Sequence, residues 1–135
     1  MYVSELNFVH PIDPEALRTA VTAGFGDPPG LAITTAHRGG DIPFMVRIVL
    51  PAATEAPSLE QMQAVSRSLQ AILLTDDVEV GPLFDDGFSL ISPDGTTVVV
   101  RANLEGPEDD GLSLYPEFRE VYRSIEARLI HAAAH

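Results

Sequence analysis

Pro43-Phe44-Met45-Val46-Arg47-Ile48-Val49-Leu50 is the stretch that decides the fold class. Phe44, Val46, Ile48 and Leu50 alternate with Met45, Arg47 and Val49, the two-residue period of a strand with one covered face. Upstream, residues 31–35 form a second extended segment, and Gly39-Gly40 in the linker 37–41 suits a hairpin turn. Downstream, residues 58–74 read as a helix. Ser58 and Gln61 have capping-box spacing, and Leu59, Met62, Val65, Leu69, Ile72 and Leu73 form an apolar stripe.

The same succession recurs toward the C-terminus. Residues 88–92, the turn Pro93-Asp94-Gly95 and residues 96–103 read as another hairpin, and 116–131 as a helix with Phe118, Val121, Tyr122, Ile125 and Leu129 on one face. Phe44-Met45-Val46-Arg47 aligns with Val98-Val99-Val100-Arg101, and Arg67-Ser68-Leu69-Gln70-Ala71 with Arg123-Ser124-Ile125-Glu126-Ala127. Duplicated ββα units over 30–74 and 87–130 are one reading; chance likeness of two amphipathic units is the other. Before the first hairpin lie an extended segment at 2–9 and a helix with Asp13 as cap, Pro14 at its first position and Gly24 as its stop. Residues 78–80 could add a short strand.

These elements predict a single α+β domain over residues 1–135. It is a two-layer sandwich: an antiparallel sheet of four to six strands with helices on one face, in the order β-α-β-β-α-(β)-β-β-α. A chain of this length can bury most of its apolar surface without staples.

Composition narrows the chemistry. The absence of Cys excludes disulfides, thiolate metal sites and thiol catalysis, and all eight basic residues are Arg, so Schiff-base lysines are excluded as well. No apolar run reaches bilayer length, and the N-terminus lacks the pattern of a secretory signal, so a cytoplasmic location is expected. The formal net charge of −12 repels nucleic acid and anionic lipid and favours basic partners. No nucleic-acid or membrane partner is therefore expected.

The charge is unevenly spread. Residues 1–75 hold seven acids against four Arg and 111–135 balance three against three, whereas 76–110 hold ten acids and one Arg. If the second hairpin forms, Asp76, Asp77, Glu79, Asp85, Asp86, Glu105, Glu108, Asp109 and Asp110 collect at one end of the sheet, with Asp94 at the opposite turn. Solvated loops are the ordinary explanation of such a run, but a concentrated negative pole also suits docking of a basic protein surface. Glu108-Asp109-Asp110-Gly111 lacks the ligand spacing of an EF-hand loop, and no metal or other cofactor is expected.

No catalytic constellation accompanies the acids. His10, His37, His131 and His135 have no partnered nucleophile, and neither a G-x-S-x-G nor a G-x-G-x-x-G pattern is present. Arg47 and Arg101 hold matching positions in the two hairpins and are expected together on the uncovered sheet face, as a dimer contact or an anion site. The order helix, strands, helix, strands, helix in an acidic chain resembles small secretion chaperones that bind type III effectors, although the extended segment at 2–9 departs from them. The expected function is a non-enzymatic acidic protein-binding module of the immunity, inhibitor or secretion-chaperone type. The alternatives are a small-ligand or regulatory domain using the open sheet face, and a metal-dependent enzyme. A homodimer is compatible with an uncovered face.

Overall fold

The computed structural model describes residues 1–76, 87–105 and 111–133, with Leu104 and Glu105 described by their backbone alone. In chain order the elements are β1 (Tyr2–Phe8), α1 (Pro14–Phe25), β2 (Ala32–His37), β3 (Phe44–Leu50), α2 (Leu59–Leu69), β4 (Leu73–Thr75), β5 (Gly87–Ile91), β6 (Thr97–Glu105), β7 (Gly111–Leu114) and α3 (Pro116–Ala133).

Local chemistry sets the helix ends. The Asp13 carboxylate accepts from the N–H groups of Glu15 and Ala16, satisfying two donors that the first turn of α1 leaves open. Ser58 and Gln61 close a full capping box at the start of α2. That helix stops at Leu69 rather than continuing to 74, because Gln70 turns left-handed and its N–H returns to the carbonyls of Ser66 and Arg67. Leu73 and Leu74, expected on a helix, instead belong to β4. The short strand considered at 78–80 lies outside the described residues. Gly24 does not end α1, which runs on to Phe25 and is capped by Gly26. Gly24 is instead where α1 meets α2: a Cβ there would come 2.6 Å from a Val65 methyl.

The sheet is antiparallel and curled, with seven strands in the order β2-β3-β1-β4-β5-β6-β7. That exceeds the four to six expected, chiefly through β7, which pairs with the second half of β6 from Ala102↔Leu114 to Glu105↔Gly111. The curl brings the β2–β3 connection to the far edge. Gly39 bridges Gly111, and the Ile42 N–H donates to the Leu112 carbonyl over 3.0 Å. Gly40 has a φ of 86°, and a Cβ on it would collide with the backbone of Leu112, so both the conformation and the close approach require glycine there.

Register shows how the cores lie. Paired residues share a face, so Leu6↔Val46 and Phe8↔Phe44 point one way while Asn7, paired with Leu74, points the other. Leu6, Phe8, Val46 and Ile48 form a core with Leu17, Ala20 and Val21 of α1 and Met62 and Val65 of α2. Leu74, Leu90, Val100, Ala102, Leu112 and Leu114 form a second core with Tyr122 and Ile125 of α3. Leu74 pairs with Leu90 and Leu90 with Val98, so this second core lies on the Asn7 face, opposite the first. The expectation of helices on one face holds for α1 and α2 but not for α3.

This also bears on the repeat. Along the strand order β2 precedes β3 and β5 precedes β6 in the same lateral sense and with the same strand directions. Since α2 and α3 cover opposite faces, the two hairpin–helix units have opposite hand, and no rotation superposes them. The likeness between 30–74 and 87–130 is one of residues, and the helices that follow the two hairpins lie against opposite faces of the sheet.

Candidate functional site

The acidic residues singled out by sequence fall mostly outside the described segments. Asp77, Glu79, Asp85, Asp86, Glu108, Asp109 and Asp110 lie there; Asp76 follows β4, and Glu105 is the last residue of β6. What is described is the set of strand ends around them. β4 and β6 end, and β5 and β7 begin, at the same end of a four-strand antiparallel block. β6 continues four residues past its pairing of Arg101 with Gly87, roughly 13 Å at the usual strand rise.

Asp94 sits at the opposite turn and is closely held. It accepts from the Thr96 N–H over 3.0 Å, and Arg128 of α3 reaches its other oxygen through Nε at 3.1 Å. A second nitrogen of Arg128 donates to the Thr96 hydroxyl over 2.7 Å. The Thr96 backbone hydrogen bond, its hydroxyl and more weakly the Arg128 charge lower the Asp94 carboxyl from the ordinary 3.8 to about 2.

Arg47 and Arg101 are not brought together. Arg47 is paired across the sheet with Glu5 and bonds it at 2.8 Å, on the face that bears Asn7. Arg101 has the opposite parity to Val100 and so occupies the other face, with its guanidinium 5.9 Å from the centre of the Tyr115 ring. Each Arg points away from the helix that covers its own half of the sheet. Because the helices change sides, the two cations end on different faces.

A polar network that sequence reasoning did not single out ties the β2–β3 connection to the far side of the molecule. Arg38 donates to the Asn7 side-chain oxygen over 2.5 Å, and the Asn7 amide donates to the Leu74 carbonyl. The Asp41 N–H donates to the Ser113 hydroxyl, while the Asp41 carboxylate pairs with Arg119 of α3 at 2.8 Å. Arg119 also donates to the Leu114 carbonyl, so it is spent on holding loop, strand and helix together. The only sequence signal was the His37-Arg38-Gly39-Gly40-Asp41 run, which local turn chemistry accounts for without a distant partner.

The histidines do not assemble a reactive centre among the described residues. His10 lies 3.7 Å from Glu126, and His37 stacks edge-on against Phe44 at 5.2 Å. An apolar groove of about 430 Å³ runs between the end of β1, the end of α2 and α3, lined in part by Ile12, Leu69, Ala71, Leu129 and Ile130. Tyr122 and Glu126 stand at its polar end. Burial, and secondarily the Glu126 charge, raise the Tyr122 hydroxyl above its ordinary range, so it acts there as a neutral hydrogen-bonding group.

Among the described residues no three His, Asp or Glu side chains are grouped to hold a metal ion, and no helix is long and apolar enough to cross a membrane. No family model, curated protein or solved structure matches the chain.

Proposed function

We propose that this chain is a non-enzymatic acidic binding module that docks a basic protein surface, in the manner of an immunity protein, an inhibitor or a secretion chaperone. One observation carries the reading: ten of the chain's twenty acids, with a single Arg, fall in residues 76–110. The strand ends flanking its two acidic segments share one end of the β4–β7 block, which supports a common acidic pole. Like charges held close repel one another and lower stability unless a cation meets them, and a cationic surface would be steered to them over roughly a Debye length, about 8 Å at physiological salt. Asp94, the acid at the other turn, is already matched by Arg128 and is not part of the proposed surface.

An immobilised Arg-rich peptide tests this directly. Binding is expected to weaken steeply as salt is raised and to fall further when Asp109 and Asp110 become Asn. Binding insensitive to both changes would remove the acidic segments from the interface. The small-ligand alternative loses its shared Arg47–Arg101 face, since register separates the two side chains.

A further inference from the structure

We propose that the outer edge of β2 pairs with the same edge of a second copy of this chain, joining two curled sheets about a twofold axis. β2 closes the strand order on one side, and among the described residues β3 is the only strand it ladders with. Its sequence is Ala32-Ile33-Thr34-Thr35-Ala36-His37, and every residue but Ile33 is exposed. An open strand edge is a row of backbone donors and acceptors ready to pair, and proteins that keep such an edge monomeric blunt it with charge, proline or a bulge. β2 contains no Lys, Arg, Asp, Glu or Pro, and its ladder with β3 runs without interruption from Ala32↔Val49 to His37↔Phe44.

The occupant follows from self-complementarity. An antiparallel pair across a twofold centred on Thr34 sets Thr34 against its own copy, Ala32 against Ala36 and Ile33 against Thr35. Parity is kept, so each sheet face continues into the same face of the partner. Small Ala and Thr side chains then meet on the face that carries Arg47, and a directly opposed Thr pair is a favourable cross-strand contact. The strand has no Asp, Glu, Lys or Arg to set against its copy, and Arg47, across the β2–β3 ladder from Thr34, is paired with Glu5. Ile33, packed at the margin of the α1–α2 core, is covered from the open side. A basic partner has no charge to find on this edge, which leaves a matching neutral edge as the better fit.

The remaining resistance is the general repulsion between two chains of charge −12, and salt screens it. Dimer is therefore expected to increase between about 0.05 and 0.5 M salt, opposite to the response expected of acidic docking, so the two proposals fail separately. Light scattering and sedimentation at about 100 µM protein should show a dimer under the higher salt, and Thr34→Lys, which places two ammonium groups across the axis, should return it to monomer with its circular dichroism unchanged. The chain has no Cys, so Thr34→Cys offers an independent readout. Mild oxidation should link it into covalent dimers, whereas Ala23→Cys, on the exposed side of α1, should remain monomeric. A wild-type monomer at high salt overturns the proposal. So does a dimer that survives Thr34→Lys, or one that Thr34→Cys fails to capture.

Discussion

The two halves of the sheet are built from the same alternating pattern and covered from opposite sides. In the β2-β3-β1 half, Leu6, Val46 and Ile48 face α1 and α2, and the reverse face leaves Val3 exposed beside the Glu5–Arg47 pair. In the β4–β7 half, Leu74, Leu90 and Val100 face α3, and the reverse face leaves Val99 exposed. Alternation records that one face of a strand is covered and is silent about which. The choice is made where β1 meets β4, at the pairing of Asn7 with Leu74.

The largest test of this arrangement uses Leu6 and Leu90, both fully buried and each in a different core. Leu6→Ala and Leu90→Ala should each destabilise by about 2–5 kcal/mol in denaturant unfolding, since each leaves a cavity in a packed layer. With the backbone of the sheet between them, the double variant should equal the sum of the two within about 0.5 kcal/mol. A substantially larger coupling would mean that the halves share one core, and the two-sided description would be lost.

Gly24→Ala probes the first half alone. Alanine improves intrinsic helix propensity by about 1 kcal/mol. Its Cβ, however, would lie 2.6 Å from Val65 Cγ2 and 2.9 Å from the Gln61 carbonyl oxygen, so the helices must separate. Net destabilisation of about 1–3 kcal/mol is expected, because overpacking outweighs propensity. A stabilised variant would show that α1 and α2 can part freely, and that the first core is less tightly packed than the second.

The seam itself is tested by Asn7→Leu, which keeps the heavy-atom count and branching of the side chain and removes its polar atoms. Asn7 is only 2% exposed and stands where the open face of one half becomes the covered face of the other. Its side-chain oxygen accepts a hydrogen bond from the Arg38 guanidinium, and its amide N–H donates to the Leu74 carbonyl. Leucine would leave both partners short of a hydrogen bond, and a loss of about 1–3 kcal/mol is expected from the desolvated groups left behind. A neutral outcome would show that the seam is apolar in character and that the Arg38 network is dispensable to the fold.

These residues also show what the chain disclosed in advance. Caps and strand periods depend on neighbours within a few positions, and Asp13, the Ser58–Gln61 box and the alternation of 44–50 were all readable. β4 was hidden because Ala71-Ile72-Leu73-Leu74 is a continuous apolar run that fits a helix as well as a strand, and the left-handed turn ending α2 falls on Gln70 instead of a glycine. β7 was hidden because all four of its residues are buried, which erases alternation. The expectation that Arg47 and Arg101 share a face failed for a related reason. Arg47 and Arg101 were each correctly placed on the open side of their own hairpin, but the relation between the hairpins depends on a contact 67 residues apart in sequence, between Asn7 and Leu74. No local pattern carries that information.

The smallest expected effect contrasts the two ends of the β5–β6 hairpin. The acid at its turn, Asp94, is held ionised by the Thr96 backbone N–H and by Arg128, whereas the proposed function brings a basic partner to the acidic segments beyond the other end. With its folded pKa near 2 and its ordinary value at 3.8, Asp94 binds its proton more readily in the unfolded chain. Its contribution to stability is therefore complete above about pH 4 and is lost as pH falls through about 2. The magnitude is small because the Arg128 pair is solvent-screened. Denaturation midpoints compared between wild type and Asp94→Asn should diverge above pH 4 and converge toward pH 2, which separates this one carboxyl from all the others titrating in the same window. Arg128→Ala should preserve most of that difference, because the Thr96 hydrogen bond is the larger cause. If Arg128→Ala erases it, the turn is held by charge instead of by backbone geometry.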